Sequence, residues 1–205
     1  MSPSLPALRA ALRARPRDAA LRAVFADFLL ERGDPRGLFI QAQREGRVEE
    51  AQRLLEKYRV HFVHPLPHGA DVDFVDGFVD AWRTTPDEFR RAGRRMLRHL
   101  PLRSLTLSGV RQVDLQYLLA SEGLECVTTL VLHQLRIGAL QLLASNDLPH
   151  VRVLQVSGAL MESQLDALPD TDVARRLRRA ATPPTRGRPF FWIDERFESP
   201  FAQLG

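Results

Sequence analysis

Apolar positions recur with two different periods along the chain, and the change of period divides it. Up to about residue 60 the apolar side chains return every three or four positions: Leu8 and Leu12, then Leu21, Val24, Phe25, Phe28 and Leu29, then Leu38, Phe39 and Ile40, then Val48, Ala51, Leu54, Leu55 and Tyr58. That spacing predicts four helices. Pro16-Arg17-Asp18 separates the first two, with Asp18 placed to cap the second, and Gly33 sits where a helix ends in a left-handed residue before Asp34-Pro35. The third is expected from about Gly37 to Gly46.

From Gly77 onward the pattern alternates with a period of two. A six-residue apolar motif occurs as Leu102–Leu107, Val127–Leu132 and Val151–Val156, at steps of 25 and 24 residues, with its fourth and sixth positions always apolar. Gly77–Thr84 fits the same register one step earlier, Val79, Trp82 and Thr84 standing where Leu102, Leu105 and Leu107 stand next, with Asp76-Gly77 as the turn into it. A helix-like run follows each strand. Thr85-Pro86-Asp87-Glu88 is a capping box with proline at the first helical position. The helix it opens places Phe89, Ala92, Met96 and Leu97 inward and Arg90, Arg91, Arg94, Arg95 and Arg98 outward. Runs from Asp114 to Ser121 and from Ile137 to Ser145 repeat Leu119-Ala120-Ser121 as Leu143-Ala144-Ser145. A fourth unit continues through Ser163, Leu165 and Leu168 and fades at Pro169.

One strand-and-helix unit cannot bury its own apolar side, whereas stacked units share a core. The expected fold is therefore an α/β solenoid: a short leucine-rich-repeat-like array of about four units with parallel strands, preceded by a helical companion module. The expected division is a module and connecting helix over 1–60, the array over 61–168, a flexible Arg/Pro-rich linker over 169–188 and an aromatic tail over 189–205. Strand alternation places Leu105 and Leu107 in the core and leaves an outer column of Arg83, Thr106, Val131 and Gln155, with His133 in a neighbouring row. The column is small and nearly uncharged, which suits a protein or peptide partner. Five of the fifteen aromatic residues, Phe190, Phe191, Trp192, Phe197 and Phe201, fall in the last sixteen positions. Such a tail serves either as a cap folded over the last repeat or as a docking peptide, and capping is the preferred reading.

The stretch Ala26-Asp27-Phe28-Leu29-Leu30-Glu31-Arg32-Gly33-Asp34-Pro35-Arg36-Gly37-Leu38-Phe39-Ile40-Gln41 resembles the bacterial repeat-companion domain. That module precedes leucine-rich-repeat-like arrays, and Phe28 here replaces its usual tryptophan while Phe25 holds the aromatic place. The resemblance is tight over residues 7–45 and implies an architecture rather than an activity. Within it, Asp27 and Arg36 are expected to pair or cap across the helical hairpin, with Glu31 and Arg32 facing solvent.

Charge and chemistry narrow the function. The formal net charge is +4 and nearly all the positive charge is arginine, Lys57 being the lone lysine, but the arginines are scattered among 25 acidic residues rather than gathered on one face. The single cysteine, Cys126, excludes an intramolecular disulfide and reads as a small buried hydrophobe. No run of about 18 apolar residues is present to span a membrane, and Arg9, Arg13, Arg15 and Arg17 interrupt any signal-peptide core, so a cytoplasmic location is expected. His61, His64 and His68 are spaced by three and four residues and invite a zinc reading; Pro65 and Pro67 forbid a helix through the last two, and a structural loop is the expectation. With no phosphate loop, metal-ligand quartet or nucleophile elbow, neither a catalytic site nor a cofactor is expected. The leading expectation is a protein-binding adaptor or regulator, an inhibitor being one version, that engages another protein through the repeat surface or the aromatic tail. The alternative is a nucleic-acid or acidic-surface binder using the arginine face, and a third is metal-dependent hydrolysis at the three histidines; nucleic acid is not the expected partner.

Overall fold

The computed structural model describes residues 4–15, 18–64, 66–67, 69–100, 102–157, 167–171, 173–175 and 177, and the backbone of 190–193. Four helices come first: α1 (Leu5–Ala14), α2 (Ala19–Leu30), α3 (Pro35–Arg44) and α4 (Val48–Val63). Each junction has a local cause. The Asp18 carboxylate accepts from Leu21 N–H at 3.0 Å and starts α2. Asp34 accepts from Arg36 N–H at 2.9 Å and starts α3, whose first residue is Pro35. α4 carries non-helical backbone at Tyr58, where it kinks, and then continues through His61-Phe62-Val63, with His64 as its C-cap. His61 is thus helical rather than part of a loop.

A six-stranded sheet follows, in the order β1 (Asp71–Val75), β2 (Phe78–Thr84), β3 (Ser104–Ser108), β4 (Thr129–His133), β5 (Val153–Val156) and β6 (Phe190–Ile193). β1 and β2 form an antiparallel hairpin around Asp76-Gly77, both at positive φ, the arrangement that Asp-Gly favours. β2 to β5 run parallel, joined by α5 (Pro86–His99), α6 (Gln112–Leu119) and α7 (Ile137–Ala144), and β6 returns antiparallel along β5. α5 begins at the expected capping box, Thr85 Oγ1 accepting from Glu88 N–H and the Glu88 carboxylate from Thr85 N–H, both at 3.3 Å.

The expected solenoid does not form. The sheet is mixed, antiparallel at both margins and parallel only in the middle, and its three crossover helices are of unequal length, 14, 8 and 8 residues, so no uniform repeat is stacked. The physical reason is that a spacing of 24 or 25 residues is also that of an ordinary strand–helix–strand crossover. The apolar motif reports a strand buried on one side, whichever architecture buries it. Register nevertheless aligns Trp82, Leu105, Leu130 and Leu154 across β2 to β5, and all four are fully buried in one core with Phe89 and Met96 of α5, Leu115 of α6 and Leu140 of α7. Val173, Ala174 and Leu177 join that core from inside the stretch read as a linker.

The helical module is fastened to the hairpin end of the sheet. Phe25 packs on Phe78 with ring centroids 5.3 Å apart, and Phe39 stacks on Phe62 at 4.9 Å while meeting the edge of Phe74 at 5.5 Å. The buried Arg22 pairs with Asp76 in the hairpin turn, and Gln43 Oε1 accepts from Gly77 N–H. The guanidinium of Arg36 reaches the last turn of α4, where Nη2 donates to the carbonyls of His61 at 3.0 Å and Phe62 at 2.8 Å. Asp27, its expected partner, is exposed instead.

Candidate functional site: the open face of the sheet

One face of the sheet carries the core and the helices. On the other, register sets Asp71, Arg83, Thr106, Val131 and Gln155 side by side across β1 to β5, and Asp73, Ala81, Ser104, Thr129 and Val153 in the next row. Thr106, Val131 and Gln155 are half-buried and Arg83 is exposed. The structure therefore brings the four residues of the proposed column into one continuous row. Phe190, Phe191 and Trp192 lie on β6, at the edge next to β5, opposite Val156, Gln155 and Leu154 respectively. Phe197 and Phe201 lie outside the described residues.

Arg83 does not stand alone at its end of the row. Its guanidinium forks between two carboxylates of β1: Nε and Nη2 donate to Asp71 at 2.9 and 3.0 Å, and Nη1 and Nη2 to Asp73 at 2.7 and 2.8 Å. These bonds hold the Asp73 carboxyl below its usual range and raise Arg83 above its own, with Asp73 the larger influence on Arg83. With all three ionised the cluster carries one surplus negative charge, so the row passes from a weakly acidic end to a neutral centre. Sequence reasoning missed the two aspartates because β1 was not recognised as a strand. The signal was there: Asp71-Val72-Asp73-Phe74-Val75 alternates and runs into Asp76-Gly77.

His133 ends β4. Its Nδ1 lies 2.8 Å from Ser157 Oγ, just beyond β5. An imidazole beside a hydroxyl is half of a nucleophile–base pair, but among the described residues no carboxylate orients the other ring nitrogen. The bond serves to clip the end of β4 to the chain after β5.

The outward arginines of α5 are largely committed within the protein. Arg90 pairs with Asp87 and, at 2.9 Å, with the buried Asp114. Arg91 donates to the Asp87 carbonyl at 3.3 Å, Arg94 lies 4.4 Å from the centroid of the Tyr117 ring, and Arg98 pairs with Glu122 at 2.8 Å. Arg95 Nη2 lies 3.2 Å from His64 Nε2, which in that geometry accepts the bond. His61 Nε2 meets Asp34 Oδ1 at 2.9 Å, and His68 lies outside the described residues. Among the described residues no three His, Cys, Asp or Glu side chains are grouped to hold a metal ion. Cys126 is buried, and burial pushes its thiol above the ordinary value.

No helix among the described residues is long and apolar enough to cross a membrane. The chain matches no protein-family model, no curated protein and no solved structure, and so nothing in these comparisons identifies the repeat-companion module.

Proposed function

We propose that the protein is a binding protein, an adaptor or regulator, that docks another polypeptide on the open face of its sheet and does no chemistry there. The observation that carries this reading is the row Thr106, Val131, Gln155: half-buried, uncharged, in register on three adjacent strands and uncovered by any described helix. A surface of small side chains on a rigid sheet lets another backbone approach closely, and little is lost in desolvating it. The Arg83–Asp71–Asp73 cluster at one margin supplies an acidic rim that favours a basic flank on the partner. Cytoplasmic residence fits this role.

The test compares proteins retained from native lysate by the wild type and by Val131→Arg, with Val113→Arg on the exposed side of α6 as control. Circular dichroism and melting temperature first check that both variants are folded. The proposal expects a retained protein that the control keeps and Val131→Arg loses. Retention of the same proteins by all three would end it.

A further inference from the structure

A second concavity lies away from the sheet face, where α1, α3, the end of α4 and α5 converge. It encloses about 320 Å³ and is lined by Arg9, Arg36, His61, His64, Arg95 and His99, with Asp34 as the one carboxylate. Three arginines against one aspartate leave a surplus of two positive charges before any histidine is protonated.

Such a gathering is unfavourable on its own. Arg36 is 9% exposed, its guanidinium forms no ion pair among the described residues, and its Nε–H is buried without an acceptor. Burial, only partly offset by Asp34, pushes its pKa down to about 10. Tethering the end of α4 accounts for Nη2, which meets two carbonyls there, and for a cation at a helix C-terminus. It does not account for the arrival of Arg9 and Arg95, nor for His99. His99 is driven below its ordinary value first by burial and then by Arg9, Arg95, Arg13 and Arg98. Cations gathered in one cleft against a single carboxylate are what an oxyanion site looks like before its ligand arrives.

We infer that this cleft binds a small phosphate-bearing molecule, the dianionic phosphate group being held between Arg95, Arg9 and His99. The surplus of two charges selects a dianion over a carboxylate, and the volume is at the lower end of small-molecule pockets, about 300–1,000 Å³. His99 makes binding depend on pH. His99 is neutral in the free protein near pH 7 and takes up a proton as a dianion neutralises the arginines around it.

Calorimetric titration of the full chain with inorganic phosphate, pyrophosphate and sulfate tests this, alongside Arg95→Gln, His99→Gln and, as control, Arg91→Gln on the same helix. The expected result is one saturable site for phosphate and pyrophosphate, weakened about tenfold by Arg95→Gln and unchanged by Arg91→Gln. Sulfate stays dianionic between pH 8 and pH 6, so its tighter binding at pH 6 reads the protein rather than the ligand, and His99→Gln reduces that gain. Absence of saturable binding by any of the three anions overturns the proposal. So does equal weakening by Arg91→Gln and Arg95→Gln, which marks diffuse surface attraction, and so does sulfate binding that is indifferent to pH. The site is separate from the sheet face, and neither result bears on Val131→Arg.

Discussion

Gly77 is where the helical module meets the sheet, and replacing it with alanine reads the tightness of that joint. Its φ is +79°, and a Cβ there would lie 2.0 Å from Ile40 Cγ1 and 3.0 Å from Ile40 Cα, closer than atoms tolerate. Two costs are superimposed. Alanine in the left-handed region loses about 1–2 kcal/mol, offset by about 0.4–1 kcal/mol from the reduced freedom of the unfolded chain. Forcing a methyl group into a filled space costs a further 1–3 kcal/mol or so. Gly33→Ala separates them, because Gly33 has a φ of +68° and nothing within 4 Å of the added carbon. The expected losses are about 1 kcal/mol for Gly33→Ala and about 2–4 kcal/mol for Gly77→Ala. In a chain of this size each kcal/mol lowers Tm by about 2–4 °C. Urea unfolding followed by circular dichroism gives the free energies directly. A double-mutant cycle with Ile40→Ala should show coupling of about 1–3 kcal/mol, since removing the obstructing side chain relieves part of the Gly77→Ala cost. If Gly77→Ala and Gly33→Ala are equally destabilising, or the cycle is additive, Ile40 does not pack against the turn and the docking described above is wrong.

Two further outcomes follow from the core and its caps. Leu130 is wholly buried between Leu105 and Leu154, so Leu130→Ala should cost about 2–5 kcal/mol in the same urea experiment, whereas Val131→Arg, its neighbour on the open face, should cost well under half as much. Asp114 is 2% exposed and accepts from the Arg111 backbone and side chain while pairing with Arg90, so its carboxyl is held below the ordinary range, chiefly by the Arg111 side chain. Glu88 is lowered likewise, chiefly by Thr84, and Asp73 by Arg83. A carboxyl lowered in the folded state stabilises it fully above the unfolded value and loses that contribution as pH falls toward the folded value. The carboxyl contribution should stay constant from about pH 7 to pH 5 and fall away below about pH 4, and Asp114→Asn should flatten that acid limb in a pH series of urea midpoints.

The legible part of the sequence was what local periodicity controls. Trp82, Leu105, Leu130 and Leu154 fall into one register because each sits at the same phase of an alternating strand. The capping box at Thr85 and the caps at Asp18 and Gly33 are short-range and were visible for the same reason. What was not legible depends on partners distant in the chain. Val24 and Val48 fit a helical stripe yet are 46% and 71% exposed, because no described element covers them. Val173, Ala174 and Leu177 looked like spacers among arginines and are buried. The six basic residues of the cleft are drawn from positions 9 to 99, and no spacing rule links them. The error of class has the same origin: a strand covered on one side by a helix has one sequence pattern in a solenoid and in a single mixed sheet.

That pattern also bears on the proposed function. Parallel strands in most folds are covered on both faces and read as unbroken apolar runs. Here β3 reads Ser104-Leu105-Thr106-Leu107-Ser108 and β4 Thr129-Leu130-Val131-Leu132-His133, apolar inward and mostly polar outward. The central strands are therefore written for a sheet with one face that no described helix covers. A bare face that met only water would gain nothing from apolar side chains, and Val131 and Val153 are placed on it, on adjacent strands, half-buried beside threonines and a glutamine. Their outward position costs exposed apolar area when the face is empty and returns it when another backbone lies across the strands. If Val131→Thr together with Val153→Thr leaves the partner's affinity unchanged, the two valines are incidental, and the argument for docking at this face loses its energetic basis.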